Sequence, residues 1–422
     1  MKIFVIYVTI LVCPILETYS QDKSPVTPQL TKQTVLTLSQ ALDIALREHP
    51  DVRVKKHFYN VAKDREKQAE SPYLPRIDFS FESGLERTTS PSLRLRRIVY
   101  EDQSVERRSL RLSQLLFDGG RTRNNIAAAK TATKISSYDK KLVKEELSFA
   151  VLSTFTNVVK QRILLESARK NYSRHTFLYR KINDRVQQGK DSKASLAQMK
   201  SRLLQAESSQ VAAKFSLDQA GVEFIQTLGI KPPLEMEKIT FKNISKGASL
   251  SKELLSSKLH PSLKQASFRV QQSFHQAEAI KANFRPEVRL ELASSYGRDL
   301  NGFNGENYVH NAFITVNWNL FRGMNDRHAI AAGEQTQNAN QALYESLQLG
   351  IKTNVEQSWL ECKKLNKRKI ILSKQRKLAR ITADAYWDQY SLSSRSLFDV
   401  LNAEVDYYNT ETSYLNTEYA EI

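Results

Sequence analysis

The sequence predicts an α+β membrane protein, in which four β-strands per chain are continued by very long helices and the whole plan occurs twice. Three observations predict this fold class. The chain carries an internal tandem repeat. Four segments alternate apolar and polar residues, as strands with one apolar face do. Two helical stretches run for roughly 65 residues, far beyond the usual length of a helix in a globular domain.

The repeat is visible as paired motifs at nearly constant offsets. His49-Pro50 returns as His260-Pro261, 211 residues later. Leu116–Gly119 returns as Leu320–Gly323, 204 residues later. A duplication on this scale fixes the order of the elements, so each half is expected to contain a helix, two strands and a long helix pair.

Composition favours an exported protein with few turns. Met1–Ser20 has a charged start, an apolar run and small residues at its end, which predicts a signal peptide. Only 13 glycines and 11 prolines occur in 422 residues, which favours long uninterrupted elements. The net charge of +18 comes from Lys and Arg spread along helix faces and not interleaved with aromatic residues, so no nucleic-acid partner is expected.

The first structural repeat is expected to span 21–230. It starts with a helical stretch, Leu36–Ser71, that prolines terminate. Two alternating strands follow at about 74–88 and 105–117. A pair of long helices, Arg121–Gln188 and Ser192–Leu228, completes the repeat, and Gly189 lies at the turn between them.

A connector at 231–258 leads to the second structural repeat, 259–422. Its strands are predicted at about 286–298 and 309–321, and the turn of its long helix pair at Ser393. Ile422 matches Asp218 of the first copy, although that copy continues to Gly229. The last helix is therefore expected to be short, as in a truncated or clipped chain.

The lengths of the predicted strands indicate a channel. Strands of about ten alternating residues can cross a bilayer at a tilt. Four such strands cannot close a barrel, so the chain is expected to supply a share of a barrel that copies of itself complete. The alternative is an ordinary α+β protein with one half-buried sheet, since such sheets alternate too. The very long helices favour the channel, because they must pack along other helices as coiled coils.

Several motifs together resemble the TolC family of outer-membrane efflux and secretion proteins over essentially the whole mature chain. They are the two His-Pro helix starts, Leu74–Ile77, Leu116–Arg121 and, most specifically, Ser396–Glu404. The last string resembles members that serve type I protein secretion. The resemblance implies a homotrimer, with a 12-stranded β-barrel in the outer-membrane lipid and a helical barrel in the periplasm. It also implies a periplasmic adaptor (a membrane fusion protein) and an inner-membrane ABC or RND pump as partners.

The resemblance also carries over a periplasmic gate to the tips of the helix pairs. Asp399 and Asn402 match the positions that line the constriction, and Tyr390 and Arg395 match residues that latch the second helix pair. Ser195 stands where the family pattern has the latch carboxylate, so the chain departs from the pattern here. One turn earlier, Asp191 could substitute for it and pair with Arg395. A looser and less cation-selective gate is expected.

The sequence therefore predicts an outer-membrane exit duct that conducts protein or small-molecule cargo passively, with type I secretion favoured. The alternative is a periplasmic coiled-coil adaptor or scaffold that never spans a membrane. No catalytic motif, cofactor site or metal-ligand spacing is present in the sequence. An enzyme is therefore not expected.

Overall fold

The computed structural model describes residues 35–89, 91–95, 101–239, 249–300 and 304–420. The predicted signal peptide, Met1–Ser20, and the C-terminal Ile422 lie outside these ranges.

The described elements run in the order helix, strand pair, long helix pair, and then through the same order again. They are α1 (Leu38–Glu48), α2 (Pro50–Glu70), β1 (Arg76–Thr88), α3 (Pro91–Leu95), β2 (Glu101–Phe117), α4 (Arg121–Gln187), α5 (Lys193–Leu228), α6 (Leu250–Ser257), α7 (Pro261–Lys281), β3 (Glu287–Arg298), β4 (Glu306–Asn317), α8 (Asn325–Ser391) and α9 (Leu397–Ala420).

The two His-Pro motifs each start a helix by the same contacts. His49 has an extended backbone, so the predicted first helix is divided into α1 and α2 at this residue. Its Nδ1 accepts a hydrogen bond from the backbone N–H of Asp51, at 3.2 Å. His260 accepts in the same way from the N–H of Ser262, at 3.2 Å. The following proline needs no hydrogen-bond acceptor at the first helical position, so the pair acts as an N-terminal cap.

The four strands form one antiparallel sheet in the order β1-β2-β3-β4. The register gives the sheet two chemically different faces. One row across the sheet is Ile77, Leu112, Leu292 and Ala312, and the adjacent row on the other face is Asp78, Arg111, Ala293 and Asn311. Successive residues of a strand point to opposite faces, so one face is largely apolar and the other largely polar.

The second and fourth strands differ from their predicted bounds. β2 begins at Glu101 because it pairs with β1 up to Thr88. β4 begins at Glu306 and ends at Asn317, which pairs with Glu287 at the start of β3. The alternation of β4 continues to Leu320 in the sequence, but β3 offers no partner beyond Glu287. A strand ends where its ladder ends, whatever its pattern.

The apolar face of the sheet is open in the single chain. Phe79 and Ile314 are each 69% exposed, and Leu85 is 90% exposed. An ordinary half-buried sheet would cover such residues with helices. In this chain, the long helices continue from the ends of the strands instead.

One apolar core lies where the middle of α4 packs against the end of α5. α4 has 67 residues, so it extends for about 100 Å. Its Val151, Phe155 and Val158 are fully buried and pack against Phe224 of α5. The rings of Phe155 and Phe224 lie 6.5 Å apart. Among the described residues, no helix combines the length and the apolar character that crossing a membrane requires.

Candidate gate at the helix tips

The two long helix pairs end in turns of the same geometry. Gly189 has φ +71° and Ser393 has φ +60°. In the first turn, the N–H groups of Gly189 and Lys190 bond to the carbonyls of Val186 and Arg185. In the second, Ser393 and Ser394 bond to the carbonyls of Tyr390 and Gln389. This left-handed arrangement satisfies the last carbonyls of a helix and reverses the chain within a few residues.

A serine caps the helix that follows each turn. The Oγ of Ser192 accepts from the N–H of Ser195, at 3.1 Å, and the Oγ of Ser396 accepts from the N–H of Asp399, at 3.2 Å. Each cap satisfies one of the free N–H groups at a helix start. The backbone N–H of Ser195 is therefore bound by the cap of its own helix, and its side-chain Oγ lies 3.1 Å from that of Ser192.

An apolar cluster joins the two tips just inside the turns. Leu178 and Ile182 of α4 are at most 1% exposed, and Val400 and Leu401 of α9 are fully buried. Met199 of α5 is also fully buried in this cluster. The second helix pair is thus packed on the first over a dry contact, and separation of the tips would expose it to water.

Asp191 is the polar centre of the contact. The hydroxyl of Tyr390 donates to Asp191 Oδ2 at 2.6 Å, which links α8 to the first turn. The Nε of Arg185 donates to the same oxygen at 2.7 Å. Arg185 also lies over the Tyr390 ring, 5.0 Å from its centre, and its Nη2 is 3.4 Å from the Oγ of Ser393. Hydrogen bonds to a carboxylate with little exposure are among the stronger ones in proteins.

The electrostatics keep this arrangement in one protonation state. Burial raises the pKa of Tyr390, and its bond to Asp191 raises it further. The bond to Asp191 raises the pKa of Arg185. At neutral pH the phenol is therefore a hydrogen-bond donor, and Arg185 is a cation.

The expected pair between Asp191 and Arg395 is not formed within the chain. Asp191 is already bound by Arg185 and Tyr390, and Arg395 is directed away from it. The Arg395 guanidinium lies 3.9 Å from the centre of the Tyr386 ring, and its Nη1 is 3.9 Å from Asp399 Oδ2. Its Nε is buried without a hydrogen-bond partner among the described residues.

Asp399 and Asn402 lie on one side of α9 but have different surroundings. Both line an open groove between α8 and α9, together with Asp406. Asn402 is half-buried and its Oδ1 lies 3.4 Å from Nη2 of Arg202 on α5. It therefore contacts the first helix pair, which the sequence analysis did not anticipate.

Two residues of the site, Arg185 and Arg202, were missed by the sequence analysis. Neither stands in a motif, and their repeat counterparts are Gln389 and Asp406. For Arg185, the spacing in the sequence could have predicted the contact, because the turn at Gly189 brings Arg185 and Asp191 to the same end of the helix pair.

Within the described part of the chain, no three side chains of His, Cys, Asp or Glu are grouped so that they could hold a metal ion. The site consists of noncovalent contacts between two helix pairs, namely ion pairs, hydrogen bonds and an apolar cluster.

Comparison with known proteins gives one family over both halves of the chain. The model of the family described as outer membrane efflux protein matches residues 41–230 and 253–421. The outer membrane efflux protein BepC of Brucella suis biovar 1 (strain 1330) is 20% identical over 383 residues, which are 89% of this chain and 81% of BepC.

Two solved structures of similar shape are described in connection with a transmembrane channel and as an outer membrane protein, respectively. The structure of CusC, described in connection with transmembrane channel formation, has a TM-score of 0.80 at 16% identity, covering 93% of this chain and 92% of CusC. The outer membrane protein VceC of Vibrio cholerae has a TM-score of 0.78 at 15% identity, covering 91% of this chain and 93% of VceC. At these identities the likeness shows a shared fold.

Proposed function

Because this chain belongs to the outer membrane efflux protein family, we propose that it is the exit duct of a tripartite export system. Family membership confirms the resemblance found in the sequence motifs and places the chain in the outer membrane of a Gram-negative bacterium. It also favours the channel over a periplasmic adaptor. The observation that carries the proposal is the four-stranded sheet with an open apolar face, joined directly to helices long enough to reach across a periplasm.

The duct is built from three copies. Each copy contributes four strands, so three copies close a 12-stranded barrel, with the apolar face of each sheet toward lipid and the polar face toward the lumen. The exposed apolar face of β1 and β4 supports this arrangement.

Exposed apolar stripes on the helices also support self-association. Four residues of α5 that share one face are between 55% and 70% exposed: Leu204, Val211, Phe215 and Val222. Four on one face of α8 are between 57% and 66% exposed: Leu349, Leu360, Ile371 and Leu378. Two different stripes on one chain suit head-to-tail contacts, which close into a ring.

The partners of the duct are a periplasmic adaptor and an inner-membrane pump of the ABC or RND class. The duct supplies no energy, and cargo moves through it passively. The string Ser396–Glu404 favours an ABC pump and type I protein secretion. Small-molecule efflux is the second candidate, and the name of BepC as an efflux protein favours it.

The helix tips form the gate of the duct. Asp399 and Asn402 line the constriction, and the bonds of Asp191 to Tyr390 and Arg185 form the latch that holds the second helix pair against the first. Arg395 lies beside Asp399 and modifies the charge of the constriction. A threefold ring of carboxylates would attract cations, and the neutral Asn402 ring would weaken this selectivity.

The channel proposal is tested with the full chain expressed in an outer-membrane host. A heat-modifiable trimer in the outer-membrane fraction that conducts ions in a planar bilayer is the expected result. A monomer in the soluble periplasmic fraction would contradict it.

The cargo is tested in the native cell by deletion of the gene and complementation. Loss of specific proteins from the culture medium, with unchanged sensitivity to antibiotics and detergents, supports secretion. The reverse pattern supports efflux.

A further inference from the structure

A second polar contact between the helix pairs lies farther from the tips. The Nε of Arg174 on α4 donates to Glu404 Oε1 on α9, at 2.7 Å. Glu404 is 2% exposed, and the Arg174 side chain is 23% exposed. The Nη2 of Arg174 is 3.5 Å from Asp384 on α8, so one guanidinium bridges α4 to both helices of the second pair.

Arg174 and Arg185 occupy the two ends of one face of α4. Residues 174, 178, 182 and 185 follow the three-or-four spacing that places side chains along a single stripe. The two middle positions are the buried Leu178 and Ile182, so an arginine closes each end of the apolar cluster.

Both arginines use the same kind of contact on α8. Arg174 lies 6.0 Å from the centre of the Trp387 ring, and Arg185 lies 5.0 Å from the centre of the Tyr390 ring. The Trp387 and Tyr390 rings pack on each other at 5.8 Å. Each guanidinium therefore stacks on an aromatic ring of α8 and pairs with a carboxylate of another segment.

We propose that Arg174 and Glu404 form a second lock between the two helix pairs, about 16 Å from the tip latch along α4. The inference rests on the proposed gate. A polar latch at the tip alone would leave the apolar cluster, whose contacts are not directional, to hold the orientation of the second helix pair. Two contacts on one face of α4 fix both the position and the rotation of that pair. Opening therefore requires both to release.

Burial makes Arg174–Glu404 suited to this role. If α9 moves away from α4, Glu404 loses the partner that compensates for its removal from water. A buried carboxylate without its partner is strongly disfavoured, so the pair opposes partial separation and favours an all-or-none movement. Arg174 and Glu404 are positioning residues for the gate and need not touch cargo.

The test compares this pair with a chemically similar pair that does not join the helix pairs. Arg376 of α8 and Glu411 of α9 lie 3.3 Å apart, both within the second helix pair, and Arg376 also stacks on a tyrosine ring. The variants are Glu404→Gln and, as the control, Arg376→Gln, which breaks the contact between α8 and α9. Glu404→Gln keeps the shape of the side chain, and Arg174 retains Asp384 nearby, so the fold should survive.

Single-channel recording of the reconstituted full-length protein is the measurement, with thermal stability of the trimer recorded alongside. We expect Glu404→Gln to raise the open fraction about tenfold or more, because a buried ion pair of the closed form is lost. Arg376→Gln should leave the open fraction unchanged, since the contact that it removes lies within one helix pair that moves together. The effects of Arg174→Gln and Glu404→Gln should be less than additive in the double variant, because both remove the same contact, although Arg174→Gln also removes the contact with Asp384.

An unchanged open fraction in Glu404→Gln, or an equal rise in both glutamine variants, would overturn the lock. The second result would mean that general loosening of the helices had opened the channel. A wild-type protein that forms no pore would instead overturn the proposed function together with the lock, so the two failures are distinguishable.

Discussion

In the proposed gate, Asp191 takes the place of the carboxylate that the family resemblance predicts at the position of Ser195. Ser195 itself donates its backbone N–H to the capping side chain of Ser192. Asp191 supplies a carboxylate from the turn itself, where Arg185 and Tyr390 both reach it. The proposed latch carboxylate therefore lies in the turn before α5 and not at the start of that helix.

Tyr390→Phe is the direct test of this latch. The substitution removes the hydroxyl that donates to Asp191 but keeps the buried ring under Arg185. A hydrogen bond to a charged group contributes about 1.5–3 kcal/mol, so the closed form should lose roughly this much and the open fraction should rise about tenfold to a hundredfold. Single-channel recording checks it. Tyr386→Phe is the control, because it keeps the ring under Arg395, and an equal effect in both variants would contradict the latch.

His175 gives a prediction for pH. It is 2% exposed, its Nδ1 is 2.9 Å from the carbonyl of Asn171, and burial lowers its pKa. The hydrogen bond to Asn171 and the charge of Glu404 raise this pKa, and the charges of Arg202 and Arg174 lower it, but burial is the largest effect. His175 therefore binds a proton less readily in the folded protein than in the unfolded chain, where a histidine has a pKa of about 6.5.

Stability should consequently fall as pH drops below about 6.5, by up to about 1.4 kcal/mol per pH unit for this one group. Thermal unfolding between pH 8 and pH 5 measures it. The loss should be smaller in His175→Gln, whereas His57→Gln, at an exposed position, should behave as wild type. If His175→Gln loses as much stability as wild type over this range, the buried histidine does not control the response.

At the residue scale, sequence reasoning selected the right neighbourhood but not all the bonds. Asp191 and Tyr390 were expected in one latch, and they are bonded to each other. Arg185 was not expected. Arg395 contacts Tyr386 and Asp399 and not Asp191, its expected partner. Spacing along a chain identifies residues that share a turn, whereas the choice among several nearby donors depends on side-chain directions that the sequence does not contain. The roles of these residues in a gate stay predictions.

The helix elements depend on backbone conformations at their turns. Gly189 has a left-handed conformation with no atom near its missing Cβ, so a side chain there would meet strain but no clash. Ser393 adopts the same conformation at the second tip and bears that strain in the native chain. The two turns thus have the same backbone geometry, but the left-handed conformation costs more free energy at Ser393 than at Gly189.

Gly189→Ala should destabilise the protein by about 1 kcal/mol, because a left-handed residue with a Cβ costs about that much. Gly350→Ala is the matched control. Gly350 lies inside α8 with open space around it, so alanine there should stabilise the helix by about 0.5–1 kcal/mol. Thermal unfolding of the two variants measures the difference, and shifts of the same sign would contradict the assigned role of the left-handed turn.

At the element scale, the long helices were predicted closely because their ends carry strong local signals. α5 begins after the Ser192 cap and ends at the left-handed Gly229. The limits of β4 were predicted less well, because alternation at Trp318 and Leu320 continues beyond the last pair with β3. Trp318 instead donates its indole N–H to the carbonyl of Phe284, at 3.1 Å. Strand limits depend on the partner strand, which lies elsewhere in the sequence.

The single chain leaves apolar helix surface exposed to water, as α5 shows. Its buried residues, such as Met199, Ala206 and Phe224, face α4. Leu204, Val211, Phe215 and Val222 lie on the opposite side of the same helix and are exposed. A helix that is apolar on two opposite faces needs a second packing partner. In the proposed ring of three chains, a neighbouring copy supplies it.

Phe215→Glu should therefore prevent assembly while leaving the chain able to fold. Phe215 is 70% exposed in the single chain, so its replacement costs the chain itself little, whereas a charge in the proposed interface would be removed from water without a partner. Ala212→Glu adds the same charge to the same helix at an exposed position off the stripe, which makes it the matched control. Unheated gels and size-exclusion chromatography with light scattering measure the oligomeric state. We expect a trimer for wild type and for Ala212→Glu, and a monomer for Phe215→Glu. The helical circular-dichroism spectrum of Phe215→Glu should be unchanged. Because the described part of one chain carries a sheet of four strands, which cannot close a barrel, the monomer should also give no conductance. A trimeric and conducting Phe215→Glu variant would show that this face of α5 is not where the copies meet.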